Sequence, residues 1–177
     1  MIAYKLLRPG RVAPFSGLEW PPPGDWLEAN ELDECRAGLH ACRVDDLPLW
    51  LGLGELWEVE LGGEVREQER KVVASRARLV RRVEEWNGAA APFAEACVES
   101  AKRRAERSPD LAQYVPDLEA NAAAGNAPVA AYIAARVAEL QEGPTGYDAE
   151  RRRQADWLAH ELGLRSKRRS WLRRRHP

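Results

Sequence analysis

The first half of the chain alternates between apolar and polar residues with a period of two. The alternation is clearest in three stretches, residues 2–8, 55–61 and 71–83. A strand with one buried face has this pattern, because successive side chains point to opposite faces of a sheet. Pro9-Gly10 is a turn signal after the first stretch, and Gly62-Gly63 should turn or bulge the second. We therefore predict an N-terminal antiparallel sheet of about three to five strands.

Charged residues on two of these strands predict how the strands pair. Glu58 and Glu60 share one face of the second strand, and Arg76 and Arg78 share one face of the third. If the two strands are antiparallel neighbours, these opposite charges should form cross-strand ion pairs.

After Trp86-Asn87-Gly88 the apolar residues recur with the period of a helix. Ser108-Pro109 is typical of a helix start, and Pro116 should bend or split the helix that begins there. Gly143-Pro144 and Gly163 should end the last two of four helices. The positions predicted to face inward are Phe93, Cys97, Ala101 and Ala105 in the first helix, Val129, Tyr132, Ile133, Val137 and Leu140 in the third, and Ala155, Leu158 and Leu162 in the fourth.

The two patterns together predict an α+β protein. We expect a β-rich domain at residues 1–86, a helical bundle packed on it at residues 87–163, and a basic tail at residues 164–177. A length of 177 residues is sufficient for one core, or for two tightly joined halves.

Residues 12–30 are rich in proline and tryptophan. Four prolines prevent regular structure there, whereas Phe15, Trp20 and Trp26 supply large rings whose exposure would be costly. We predict an ordered loop that serves either as a lid over a pocket or as a cover for one sheet face.

The most reactive side chains gather in the stretch Cys35-Arg36-Ala37-Gly38-Leu39-His40-Ala41-Cys42, which contains two of the three cysteines and one of the three histidines. A turn followed by a short extended run would place His40 and Cys42 on one face. A short helix over residues 45–51, which includes Trp50, is predicted to follow.

Three interpretations of this stretch compete. Two thiolates and one imidazole could ligate zinc, although the spacing is not that of a zinc knuckle. Cys42 could be a nucleophile, because a neighbouring His40 imidazolium stabilises a thiolate. The third interpretation is structural, with a buried thiol and a hydrogen-bonded histidine in the sheet core. A variant of the catalytic interpretation uses His40 as general acid/base with Glu60 or Glu64 and gives the thiols no role.

Charge is unevenly distributed along the chain. The 27 basic and 28 acidic residues nearly cancel, but seven of the basic ones lie in the last thirteen residues, around Trp171. This tail is either a solvated terminus or a contact for an acidic partner, and it is the only segment for which nucleic-acid binding is considered.

Several classes of protein are disfavoured by what the sequence lacks. It has neither a long apolar run nor a signal-peptide pattern, so we expect a cytoplasmic protein with no membrane partner. An odd number of cysteines favours free thiols or metal ligands over disulfides. No Walker loop, Gly-x-Gly-x-x-Gly or Gly-x-Ser-x-Gly motif is present, which argues against nucleotide-loop enzymes, Rossmann cofactors and α/β-hydrolases. We predict neither a metal nor a cofactor.

Residues 2–83 resemble a poorly characterised domain of bacterial and phage proteins. The resemblance lies in Gly38-Leu39-His40-Ala41-Cys42, with Cys35 three residues before the glycine, and in the strand that ends at Gly62-Gly63-Glu64-Val65. The order of a glycine-led strand, a short helix and a Val-Glu strand is also similar to ADP-ribosyltransferase-type folds, although their catalytic triad is not evident. The helical half, through residues 147–150 and 154–158, is similar to bacterial putative immunity proteins.

The leading hypothesis is a small bacterial enzyme that acts on a small molecule at the junction of sheet and bundle. The candidate catalytic residues are His40, Cys42, Glu60 and Glu64, and the candidate substrate-binding residues are Trp20, Trp26, Trp50 and Tyr4. The alternative is a non-catalytic protein that binds a partner, either immunity-like or regulatory, through its acidic body or its basic tail. A homodimer is compatible with both.

Overall fold

The computed structural model describes residues 1–33, 37–52 and 54–165. The chain forms two units, one of residues 1–84 with 163–165, and one of Glu85–Leu162. We call the first the β unit and the second the helical unit. The predicted α+β fold class is confirmed, with an antiparallel sheet in the first half and helices in the second.

The β unit is built on five antiparallel strands. They are β1 (Ile2–Leu7), β2 (Leu27–Glu28), β3 (Leu39–Ala41), β4 (Glu55–Glu67) and β5 (Val72–Arg82). The strand order is β1-β4-β5-β2, and β3 also pairs with β5. A 3₁₀ turn (Val44–Asp46) and helix α1 (Leu47–Trp50) connect β3 to β4, close to the predicted short helix. The predicted irregularity at Gly62-Gly63 is a bulge within β4 and not its end.

In the β unit, β1 pairs with β4, β4 with β5 and β5 with β3, and the residue after β3 pairs back to β1. β5 pairs with β3, and the residue after β3, Cys42, exchanges two main-chain hydrogen bonds of 2.8 Å with Tyr4 of β1. The next pair in that antiparallel register would join Leu6 to His40, and no such pair is present in the described chain. β1 and β3 therefore diverge after one pair of residues.

One face of the sheet packs into an apolar core with the proline- and tryptophan-rich loop. The loop contributes Ala13 and Trp20, and the strands contribute the rest, including Ala3, Leu7, Leu39, Ala41, Trp57, Val59, Leu61, Val72, Ala74, Ala77 and Leu79. The loop thus covers a sheet face, which was one of its two predicted roles.

The predicted cross-strand ion pairs form in part. Arg78 contacts Glu60 at 2.6 Å, as expected for β4 beside β5. Glu58 contacts Arg81, at 3.4 Å, because the register shifts between Glu58 and Val59. Arg76 contacts Glu28 at 3.1 Å, because β2 lies on the other side of β5.

The helical unit contains four α-helices. They are α2 (Glu85–Arg107), α3 (Val115–Ala123), α4 (Ala127–Glu142) and α5 (Pro144–Glu161), with a 3₁₀ turn (Pro109–Tyr114) between α2 and α3. Pro116 lies in the first turn of α3, so the predicted second helix is split. Within the described residues no helix has the length and apolarity needed to cross a membrane.

Two predictions about the helices are wrong. Trp86-Asn87-Gly88 was expected to precede the helices, but α2 begins at Glu85, because Trp86 is buried beside Phe93 with ring centroids 6.4 Å apart. In α4 the buried face consists mainly of alanines, whereas Tyr132 and Leu140 are 51% and 54% exposed. Alanine side chains allow close packing between helices, so the alanine face of α4 is buried and the larger side chains lie on its exposed side. Ala155 and Leu158 in α5, and Leu162 just after it, are buried as predicted.

Candidate functional site

All the residues that the sequence proposed for a site lie in the β unit. Gly38 introduces β3 with φ 103°, and a Cβ there would lie 2.5 Å from a methyl group of Val73. Glycine therefore allows β3 to approach β5 closely. Leu39 and Ala41 enter the core, so His40 and Cys42 share the opposite face.

Cys42 is buried, and its thiol lies 3.4 Å from the main-chain oxygen of Tyr4, to which it donates a hydrogen bond. Burial, with a smaller contribution from the Asp46 charge, raises the pKa of the Cys42 thiol to about 12. A thiol of this kind stays protonated and is a poor nucleophile at neutral pH. The geometry favours the structural interpretation of Cys42.

His40 is partly buried, and its Nδ1 has no hydrogen-bond partner among the described residues. Burial lowers the pKa of His40, and the nearby charges of Lys71 and Lys5 lower it further. The imidazole is therefore predominantly neutral at physiological pH.

The two candidate carboxylates do not pair with His40. Glu60 is bound by Arg78 and Glu64 by Arg66, the latter at 2.8 Å. His40 lies opposite Val73 on β5, whereas Glu60 lies opposite Arg78, further along the same strand. The structure does not assemble the predicted histidine and carboxylate pair.

The candidate aromatic residues make separate contacts. Trp26 lies under the guanidinium groups of Arg76 and Arg78, at 4.6 and 4.7 Å. Trp50 is 40% exposed and donates its indole N–H to a main-chain oxygen at 2.6 Å. Tyr4 is buried, its hydroxyl accepts a hydrogen bond of 2.7 Å from the Arg165 amide, and burial raises the pKa of its phenol. Among the residues that the structure describes, Trp20 is the one predicted ring that lies beside a charged group with no ion-pair partner.

That charge belongs to Lys5, which the sequence analysis missed. Lys5 shares a face of β1 with the core residues Ala3 and Leu7, and it lies directly opposite Trp57 of β4. Its ammonium group lies 5.3 Å from the centroid of a Trp20 ring, close enough for a cation–π interaction. We call Lys5, Trp20, Trp57 and the main-chain carbonyl of His40 the Lys5 site.

The amine of Lys5 occupies the place where β1 and β3 diverge. Its Nζ donates a hydrogen bond of 2.7 Å to the main-chain oxygen of His40. In a continued ladder that oxygen would face the amide of Leu6. Lys5 therefore replaces a missing rung of the sheet with a side-chain donor, and this bond fixes the position of the amine.

Lys5 is also electrostatically unusual. No carboxylate in the described part of the chain forms an ion pair with it. Burial lowers the pKa of the Lys5 amine to about 8. The amine therefore exchanges between its protonated and neutral forms close to physiological pH, which an ordinary lysine does not do.

The helical unit also contains buried charge. Glu150 accepts hydrogen bonds from Arg153 at 2.6 Å, from Ser100 at 2.8 Å and from Gln154 at 3.2 Å. Gln154 also bonds to Ala131 and Arg151, and we call Glu150, Arg153, Ser100, Gln154 and Arg151 the Glu150 network. Burial opposes ionisation, but these bonds lower the pKa of Glu150 below its usual value. The carboxylate oxygens of Glu150 therefore find their hydrogen-bond donors within the helical unit.

Metal binding is not supported by the residues that the structure describes. No group of three or more histidine, cysteine, aspartate or glutamate side chains is placed there to hold an ion. Cys35 lies outside the described residues, so the zinc interpretation of Cys35, His40 and Cys42 is not tested.

A comparison of the chain with protein-family models, with curated proteins and with solved structures found no match. The resemblances noted from the sequence therefore stay predictions.

Proposed function

We propose that the β unit binds a small molecule at the Lys5 site and acts on it by acid–base chemistry. The observation that supports this is a partly buried amine that bonds to one main-chain oxygen and has no carboxylate partner among the described residues. An ammonium group has three N–H donors, so two remain for a ligand oxygen.

The surroundings of the amine indicate the class of ligand. The Trp20 ring lies against this single positive charge, and Trp57 occupies the position directly opposite Lys5 on the neighbouring strand. A small molecule with an aromatic or apolar body and a carboxylate or carbonyl oxygen would satisfy both features.

The acid/base role passes from His40 to Lys5 in this proposal. The His40 imidazole lies on the other face of β3, and its main-chain carbonyl orients the lysine. A group whose pKa lies near the working pH is well suited to giving and accepting a proton.

Titration with benzoate tests the binding site, with tryptophan fluorescence as the readout. We expect saturable quenching in the wild type and in Lys71→Met, which removes another positive charge from the β unit. Lys5→Met should lose the response. Quenching should weaken as the pH rises through about 8, because the amine loses its charge there. Equal quenching in Lys5→Met and the wild type would contradict the proposal.

A second candidate function, binding to a protein, is favoured by Phe15. This side chain is 92% exposed on a turn that is held by hydrogen bonds from the amides of Ala13 and Gly17. Gly17 has φ 69°, a conformation that glycine adopts without strain. An exposed aromatic ring on an ordered turn is suited to insertion into a partner's apolar pocket.

The partner that can be tested directly is a second copy of the chain. Sedimentation over a range of concentrations should show a dimer in the wild type that is lost in Phe15→Ser, if the turn mediates self-association. Monomers throughout would exclude this role. The basic tail after Arg165, including Trp171, lies outside the described residues, and its binding of an acidic partner or nucleic acid stays a prediction.

A further inference from the structure

We propose that Lys5 is a covalent capture site, whose amine condenses with a small aldehyde or ketone to form an imine. This inference rests on the proposed function, because it uses the same site, and it specifies a carbonyl compound as the substrate class. It gives the amine a role as a nucleophile in addition to its role in proton transfer.

The geometry favours this chemistry over simple charge pairing. The bond from Nζ to the His40 carbonyl holds the amine in place, and no carboxylate among the described residues competes for its charge. Lys5 as a residue is only partly buried, and in this proposal the carbonyl compound approaches the amine where β1 and β3 diverge. Burial disfavours the charged form of the amine, and the adjacent Trp20 ring gives the body of an aromatic aldehyde a partner to pack against.

The reaction balances without any further reagent. The lone pair of the neutral Nζ attacks the carbonyl carbon, and one proton moves from nitrogen to the carbonyl oxygen to give a neutral carbinolamine. Loss of the hydroxyl group as water, with one proton from nitrogen, forms the C=N bond. One amine and one carbonyl compound give one imine and one water, with no change in oxidation state.

The protonation state of Lys5 supports the same step. With a pKa of about 8, about a tenth of the amine is neutral at pH 7, whereas an ordinary lysine is neutral in well under about 0.1% of molecules. The chain has four lysines, Lys5, Lys71, Lys102 and Lys167, so the reactivity of each can be read separately.

The test is trapping with benzaldehyde and sodium cyanoborohydride at pH 7, followed by peptide mass spectrometry. Reduction converts an imine into a stable secondary amine at the lysine where it formed. We expect Lys5 to be labelled at least about tenfold faster than Lys71 and Lys102, and this preference should disappear in denaturant. Equal labelling of the three lysines in the folded protein would overturn the inference.

Lys5→Arg separates this inference from the proposed function, because arginine keeps the charge and cannot form the imine. We expect this variant to retain quenching by benzoate and to lose the benzaldehyde adduct at position 5. Benzoate binding without an adduct at Lys5 in the wild type would overturn the imine and leave the binding site standing. If neither compound binds or reacts at the site, both proposals fail.

Discussion

The β unit and the helical unit each contain a charged side chain that is largely removed from solvent, but the two charges differ in the number of partners that surround them. Glu150 in the helical unit is bonded by an arginine, a serine and a glutamine. Lys5 in the β unit has one main-chain acceptor and a tryptophan ring. A complete set of partners offsets the desolvation cost of a buried charge, whereas a buried charge that lacks partners is left with that cost.

The difference shows which of the two charges is available for chemistry. Glu150 has its pKa held below the usual value by its partners, so it stays ionised and occupied. Lys5 has its pKa lowered by burial and keeps donors for another molecule. An incompletely satisfied group that the fold nevertheless retains is a candidate for function.

The largest effect is expected from breaking the Glu150 network. Glu150→Ala should lower the free energy of unfolding by about 3 kcal/mol, because it leaves Arg153 without its carboxylate and Ser100 and Gln154 without an acceptor. Urea denaturation followed by circular dichroism measures this. Glu119→Gln, which removes an exposed partner of Lys102, is the control and should change stability little. A similar loss in both variants would remove the contrast between the two units.

Removing the Lys5 amine should have the opposite sign. Lys5→Met should raise the free energy of unfolding at pH 7 by about 2 kcal/mol, since the cost of burying the charge exceeds the value of one hydrogen bond. The unfolded chain binds the proton more tightly, with a pKa of 10.5 against about 8 when folded. Wild-type stability therefore gains relative to the variant as the pH rises from about 8 to 10.5.

Urea denaturation of both proteins at several pH values measures this difference. Both proteins carry Cys42→Ser, because the charges of Cys42 and Lys5 are coupled, and the loss of stability from ionisation of the buried Cys97 is common to both and cancels in the subtraction. A Lys5→Met protein that is less stable than the wild type at pH 7 would show that the amine is a structural element.

Thiol chemistry sharpens the comparison, because both units contain a buried cysteine. Burial raises the pKa of Cys42 and of Cys97 to about 12. In a Cys35→Ser variant, the two remaining thiols should therefore react with a disulfide reagent at pH 8 at least about a hundredfold more slowly than in denaturant. Rapid reaction of Cys42 in the folded protein would restore the nucleophile interpretation.

The smallest effect on stability is expected from Phe15→Ser. A side chain so exposed contributes little packing, so the free energy of unfolding should stay within about 0.5 kcal/mol of the wild type in urea. A loss above about 1 kcal/mol would indicate that Phe15 is part of the fold and would remove the observation that favours partner binding.

Local pattern was enough to predict much of the fold. Alternation located β4 and β5, and opposite charges predicted the pair between Glu60 and Arg78. The same reasoning failed in α4, because it assigned the core to large apolar residues. The close packing of that helix instead buries Ala130, Ala134 and Ala138, and the demand for small side chains comes from neighbouring helices.

The site was harder to predict. Alternation does place Lys5 on the face of Ala3 and Leu7, and this was the signal that could have found it. A lysine in a strand is ordinarily expected to face solvent, however. Lys5 is instead enclosed because the neighbouring residue of β1, Tyr4, pairs with Cys42, the residue after β3. That contact joins residues 38 positions apart, and no local pattern encodes it.

The most direct test of the central claim is an NMR titration of the lysine side chains in the wild-type protein. With carbon-13 in the lysine side chains, the Cε signal of each residue can be assigned by comparison with single Lys→Met variants and followed from pH 6 to 12. The account predicts that Lys5 titrates with a pKa of about 8. A Lys5 that titrates near 10.4, as ordinary lysines do, would contradict it.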